Sequence, residues 1–106
     1  MSEAFRTKAL QQLRESGLDV EHPHEFDFYL YLPTELAAKQ AGVKLNERGF
    51  TTQVRPAARG DDWLCLASIT LVPETAPLSK IGDLFEGIAA ELNGEFDGWE
   101  AGEAKS

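Results

Sequence analysis

Hydrophobic and polar positions alternate with period two over residues 25–32, EFDFYLYL, where Phe26, Phe28, Leu30 and Leu32 share one face and Asp27, Tyr29 and Tyr31 the other. This predicts a strand with one plainly apolar side. A second strand is predicted over FTTQVRP and ended by Pro56, which cannot donate to a ladder. After the polar turn AARGDD comes a third, WLCLASITLV. There Trp63, Cys65, Ala67, Ile69 and Leu71 form one continuous apolar face, and Leu64, Leu66, Ser68 and Thr70 the other. With so few side chains suited to water, it reads as a central strand.

Helical spacing dominates elsewhere. Residues 3–16 place Phe5, Ala9 and Leu13 on one side, with Gly17 as a left-handed stop. Thr34 can cap a second helix that closes at ERGF with Gly49 just past its end. Its stripe, Ala37, Ala38, Ala41 and Leu45, is mostly small, while Leu36 and Val43 fall on the opposite side and call for another neighbour, for which the first helix is the favoured candidate. After PETAP, where Thr75 is a candidate cap, Ile81, Leu84, Phe85, Ile88 and Leu92 give the cleanest amphipathic pattern in the chain. Asn93-Gly94 ends that helix. EFDGWE is then read as a short last strand, and AGEAKS, residues 101–106, as a frayed end.

The order is a helix followed by β-α-β-β-α-β, which predicts an α+β ferredoxin-like sandwich: an antiparallel sheet in the order 4-1-3-2, two helices on one face and an extra N-terminal helix. LNERGF and ELNGEF support it as equivalent helix-to-strand corners. Length and apolar content agree with one domain over residues 1–106, its core at about 3–100. No apolar run approaches the roughly 18 residues of a membrane span, and no charged-then-apolar leader opens the chain, so it reads as soluble and unexported. The single cysteine, Cys65, flanked by apolar residues, reads as a core thiol in a reducing compartment, hence a cytoplasmic protein.

Charge is unevenly distributed. Acids and bases balance through Arg59, so the stretch from Gly60 onward, with only Lys80 and Lys105 as bases, carries the whole formal charge of −8. Such a field repels phosphate backbones and attracts basic partners, so direct nucleic-acid binding is not expected. His22-Pro-His24 with Glu25 and Asp27 has metal-binding residue types, but alternation along a strand does not converge them into a cage, and a solvated loop is the better reading. The clustered carboxylates lie in turn-like and terminal stretches, and no nucleophile-base spacing or phosphate loop accompanies them, so neither a catalytic site nor a cofactor is assigned.

Aromatic residues are more informative. Strict alternation from a core-facing Phe96 puts Trp99 on the face of Tyr29 and Tyr31, away from the sandwich helices. Two accounts stand for this face: the first helix lays Phe5, Ala9 and Leu13 across it, or it is a protein-binding surface of Tyr29, Tyr31, Glu95, Asp97, Trp99 and Glu100. A weaker third account is a single-strand nucleic-acid platform, as in RNA-recognition domains, with Tyr29, Tyr31 and Trp99 as stacking groups; Asp27 and Asp97 on the same face argue against it.

ELNGEFDGWE, a helix ending at Gly followed by acid-aromatic-Asp-Gly-Trp, resembles the C-terminal signature of the RraB family, regulators of ribonuclease E activity. FDFYLYLP, AAKQAGVKLNERGF and Trp63 at the head of the third strand extend the resemblance over roughly residues 3–100. It implies a ferredoxin-like α+β sandwich and a non-catalytic inhibitor that binds ribonuclease E in its scaffold portion, outside the catalytic core. The acidic C-terminal half suits a basic protein segment as partner.

Overall fold

The computed structural model describes residues 3–15, 17, 19–58 and 60–103. In chain order they form helix α1 (Glu3–Glu15), strand β1 (His24–Leu32), helix α2 (Glu35–Asn46), strands β2 (Thr51–Pro56) and β3 (Trp63–Leu71), helix α3 (Leu78–Glu91) and strand β4 (Glu95–Glu103). The fold is α+β. Its four strands make one open antiparallel sheet with β2, β3, β1 and β4 as successive neighbours, which counted from the β4 edge is 4-1-3-2.

The alternation in β1 sets the layers. Phe26, Phe28, Leu30 and Leu32 are at most 1% exposed, and the residues between them are half-buried. Burying each of these four contributes about 1.5–3 kcal/mol, enough to require cover over that face alone. α2 lies over β2 and β3, and α3 over β4 and β1. At the centre the Phe28 and Phe85 rings stack with centroids 4.7 Å apart, and Phe50 and Phe96 close around them.

Local signals place both helices. Thr34 caps α2 as expected, its hydroxyl accepting from the Ala37 amide at 3.0 Å, and the Phe50 amide reaches back to the Leu45 carbonyl at 3.1 Å to turn the chain into β2. α3 departs from expectation. Its cap position is Pro77, which offers no side-chain acceptor, and the Thr75 hydroxyl donates instead to the Val72 carbonyl within the preceding turn.

α1 packs on α3, not across the far side of the sheet. Leu10 and Leu13 are buried and, with Val20, join the common core; Phe5 and Ala9 lie outside the described side chains. The Val20 carbonyl accepts from the Glu74 amide at 2.9 Å, tying the α1–β1 connection to the β3–α3 turn and holding α1 on the helical layer. Neither expected role for α1 is therefore filled. Among the described residues no element covers the Tyr29 face, and Leu36 and Val43 are 67% and 58% exposed on the outer side of α2.

β4 also differs. It is nine residues long, with Ala101, Gly102 and Glu103 paired to Phe26, Glu25 and His24, so the expected frayed end begins no earlier than residue 104, outside the described residues. Its register breaks once, between the Leu30↔Phe96 and Phe28↔Trp99 pairs, so that Asp97 and Gly98 together oppose Tyr29. Gly98 has φ 95°, the left-handed conformation of a bulge glycine. Gly94, at the α3–β4 corner, is restricted differently: a Cβ there would strike the Tyr31 carbonyl and the Leu32 side chain.

Two substitutions separate these roles. Gly98→Ala meets no steric obstacle and should cost about 1–2 kcal/mol through its backbone conformation alone. Gly94→Ala should cost more, about 2–3 kcal/mol, because backbone must move. Urea denaturation of both variants checks the order.

Candidate functional site

The bulge decides which aromatics the open face carries. By uninterrupted alternation Trp99 would follow Tyr29 and Tyr31; with one extra residue at Gly98 it opposes Phe28 and points into the core. Its ring lies 5.5 Å from that of Phe26, and it packs, half-buried, against the core cluster. Trp99 is thus a packing residue, and the three-aromatic stacking platform is reduced to two tyrosines.

The same shift brings Glu100 onto the open face. Register pairs lay the surface out as a grid. Tyr31 stands between Leu64 of β3 and Glu95 of β4, Tyr29 between Leu66 and the bulge, and Asp27 between Ser68 and Glu100. Beyond β3, Gln53 opposes Leu66 and Arg55 opposes Leu64. Leu64 is only 6% exposed although no helix among the described residues covers it, while Tyr29, Tyr31 and Leu66 are half-buried and Glu95, Asp97 and Glu100 exposed. The result is a small aromatic-aliphatic centre rimmed on the β4 side by acids.

Hydrogen bonds fix this rim. The Ser68 hydroxyl donates to Asp27 Oδ1 at 2.7 Å, and the Tyr29 hydroxyl donates to Glu100 Oε1. Asp27 and Glu100 are direct cross-strand neighbours, an unfavourable like-charge pair. Each carboxylate takes its own hydroxyl donor, which offsets that repulsion. The hydrogen bond to the Glu100 carboxylate, then partial burial and the carboxylate's charge, push the Tyr29 hydroxyl up to about 12. Among the described residues the face carries five carboxylates, Glu25, Asp27, Glu95, Asp97 and Glu100, against one guanidinium, Arg55.

A model of the regulator of ribonuclease activity B (RraB) family matches residues 3–101. The chain belongs to the RraB family. No curated relative matches it. This RraB-family domain therefore falls among regulators of ribonuclease activity.

The other sequence candidates resolve as follows. Tyr29, Tyr31, Glu95, Asp97 and Glu100 come together on the open face; Trp99 does not. His24 is not in a solvated loop. It is 6% exposed at the head of β1, its Nε2 bonded to the Asp19 carbonyl and its Nδ1 buried without a partner. Extending the Phe26, Phe28, Leu30 alternation back by two residues marks this position, a signal missed when the His-Pro-His run was taken alone. His22 stays exposed, 2.6 Å from Asp19 Oδ2. The Asp19 carboxyl is held below its ordinary range, first by the Glu21 amide it accepts from and then by His22. Among the described residues no group of His, Cys, Asp and Glu could hold a metal ion, and no helix is long and apolar enough to cross a membrane. Cys65 is buried and burial pushes its thiol up to about 11.

Because the folded Tyr29 phenol ionises above its unfolded value near 10, the stability it adds is fully present below pH 10 and lost as pH rises toward 12. In an ultraviolet phenolate titration, Glu100→Gln should move the late-ionising tyrosine to lower pH. Trp99→Ala should destabilise the fold by about 2–3 kcal/mol, somewhat under the value for a fully buried Trp, in thermal or urea melts. Native Cys65 should react with a disulfide reagent at pH 8 at least tenfold more slowly than in denaturant.

Proposed function

We propose that this chain is a non-catalytic regulator that inhibits ribonuclease E by binding its scaffold region, and so modulates RNA turnover, using the open face of a ferredoxin-like sandwich. Family membership supports regulation of a ribonuclease. The observation that carries the surface assignment is the sheet face that no described helix covers, where Tyr31, Leu64 and Leu66 lie beside a rim of acids on the β4 side. Flat aromatic-aliphatic centres with a charged rim suit protein partners. Five carboxylates against one guanidinium select a basic segment and oppose RNA. The nucleic-acid reading has no observation in its favour once Trp99 is in the core.

On this reading the acids steer the partner and the Tyr31 centre holds it. A cytoplasmic site of action accords with a single, buried cysteine, Cys65.

Isothermal titration against the scaffold half of ribonuclease E tests the proposal. Binding should weaken at least tenfold between about 50 and 300 mM salt as charges are screened. Glu95→Lys with Asp97→Lys should weaken it by a similar factor, the circular dichroism spectrum staying unchanged. Tyr31→Ala should weaken it at every salt concentration. Absence of binding by folded protein at low salt contradicts the proposal.

A further inference from the structure

A second surface, on the helical side and away from the acidic sheet face, has the opposite character. Where the α2–β2 corner meets the first turns of α3, a cleft of about 260 Å³ is floored by Phe50, Ile69, Leu71 and Leu84. Phe50 is buried, whereas Ile69, Leu71 and Leu84 keep half-exposed aliphatic surface. Among the described residues the charged ones lining it are Arg48 and Lys80, and no acid does.

That charge pattern runs against the rest of the molecule, which has a net charge of −8. Neighbouring α2 lysines are already engaged: Lys39 lies 3.5 Å from Glu35, and Lys44 lies 3.2 Å from Glu91. Arg48 and Lys80 make no ion pair among the described residues. Arg48 also borders an adjoining cleft with Glu47, Asp83 and Glu91, but within this one two exposed cations without an ion pair stand over an aliphatic floor, complementary to a ligand that is anionic and apolar together.

We infer that this cleft is a docking site for a short acidic-apolar peptide segment of a protein partner, one or two aliphatic side chains entering between Phe50, Leu71 and Leu84 and a flanking carboxylate meeting Arg48 and Lys80. The size supports a peptide. The cleft falls below the roughly 300–1,000 Å³ of pockets that enclose a whole small molecule, and it accommodates side chains presented by a backbone outside. The partner segment is opposite in charge to the one proposed for the sheet face, so the two surfaces can be occupied at once.

The test is a titration of the ¹⁵N-labelled full chain, followed by amide shifts, with the peptide acetyl-Leu-Glu-Asp-Leu-amide. Acetyl-Leu-Lys-Lys-Leu-amide and decanoate serve as parallel probes, and no ribonuclease is present. The expected result is saturable movement confined to residues around Arg48, Phe50, Ile69, Leu71, Lys80 and Leu84 with the acidic peptide, and none with the lysine peptide. Arg48→Gln with Lys80→Gln should weaken binding at least tenfold while leaving all other shifts in place. Leu84→Ser should weaken it separately, and an unchanged melting profile for the Gln pair shows that the loss is local. The inference is overturned if the acidic peptide moves nothing at millimolar concentration, moves only sheet-face amides, or binds no better than the lysine peptide. It is equally overturned if decanoate alone binds, which would make the cleft a lipid site.

Discussion

Everything in this fold answers to β1, a strand bonded along both edges whose one face is four large apolar side chains with almost no exposure. Backbone pairing leaves its two faces as the only directions in which it can be distinguished, and Phe26, Phe28, Leu30 and Leu32 commit one of them to the helices. α2 and α3 cover that face and α1 joins their layer, so the face of Tyr29 and Tyr31 is left open as a consequence of how the core is filled.

The bulge at Gly98 is the second consequence. Phe96 and Trp99 are three residues apart, an odd spacing that a regular strand would split between two faces. Adding a residue opposite Tyr29 lets both rings serve the core, and it hands the next position on the open side to Glu100. One glycine thus removes an indole from the open face and brings to it the carboxylate that bonds Tyr29. The resulting surface is more acidic and less aromatic than alternation predicts, which moves its chemistry toward basic protein segments.

The elements themselves were legible because their signals are local. The period-two run in β1, the Thr34 cap, Pro56 and the α3 stripe all fall where expected. What was not legible depends on relations between elements. Gly in DGW allows a bulge but does not reveal which residue it opposes, so the face of Trp99 could not be settled by counting. α1 presents apolar residues without naming the surface they meet; the Val20 carbonyl to Glu74 amide bond, far apart in sequence, decides it. His24 is the exception, since continued alternation from Phe26 marked it as buried. Of the six residues expected on the binding surface, Tyr29, Tyr31, Glu95, Asp97 and Glu100 lie together for the reason given, and the DGW stretch serves packing at Trp99.

The central claim is that the acidic sheet face, and not the helical layer, receives the ribonuclease. Carboxyl footprinting by mass spectrometry, with and without the scaffold half of ribonuclease E, reads both sides of the molecule in one experiment. The account predicts that labelling of Glu95 and Asp97 falls several-fold in the complex while Asp83 and Glu86 of α3, exposed on the other side, keep their labelling. Protection of Asp83 and Glu86 with Glu95 and Asp97 unchanged would contradict it.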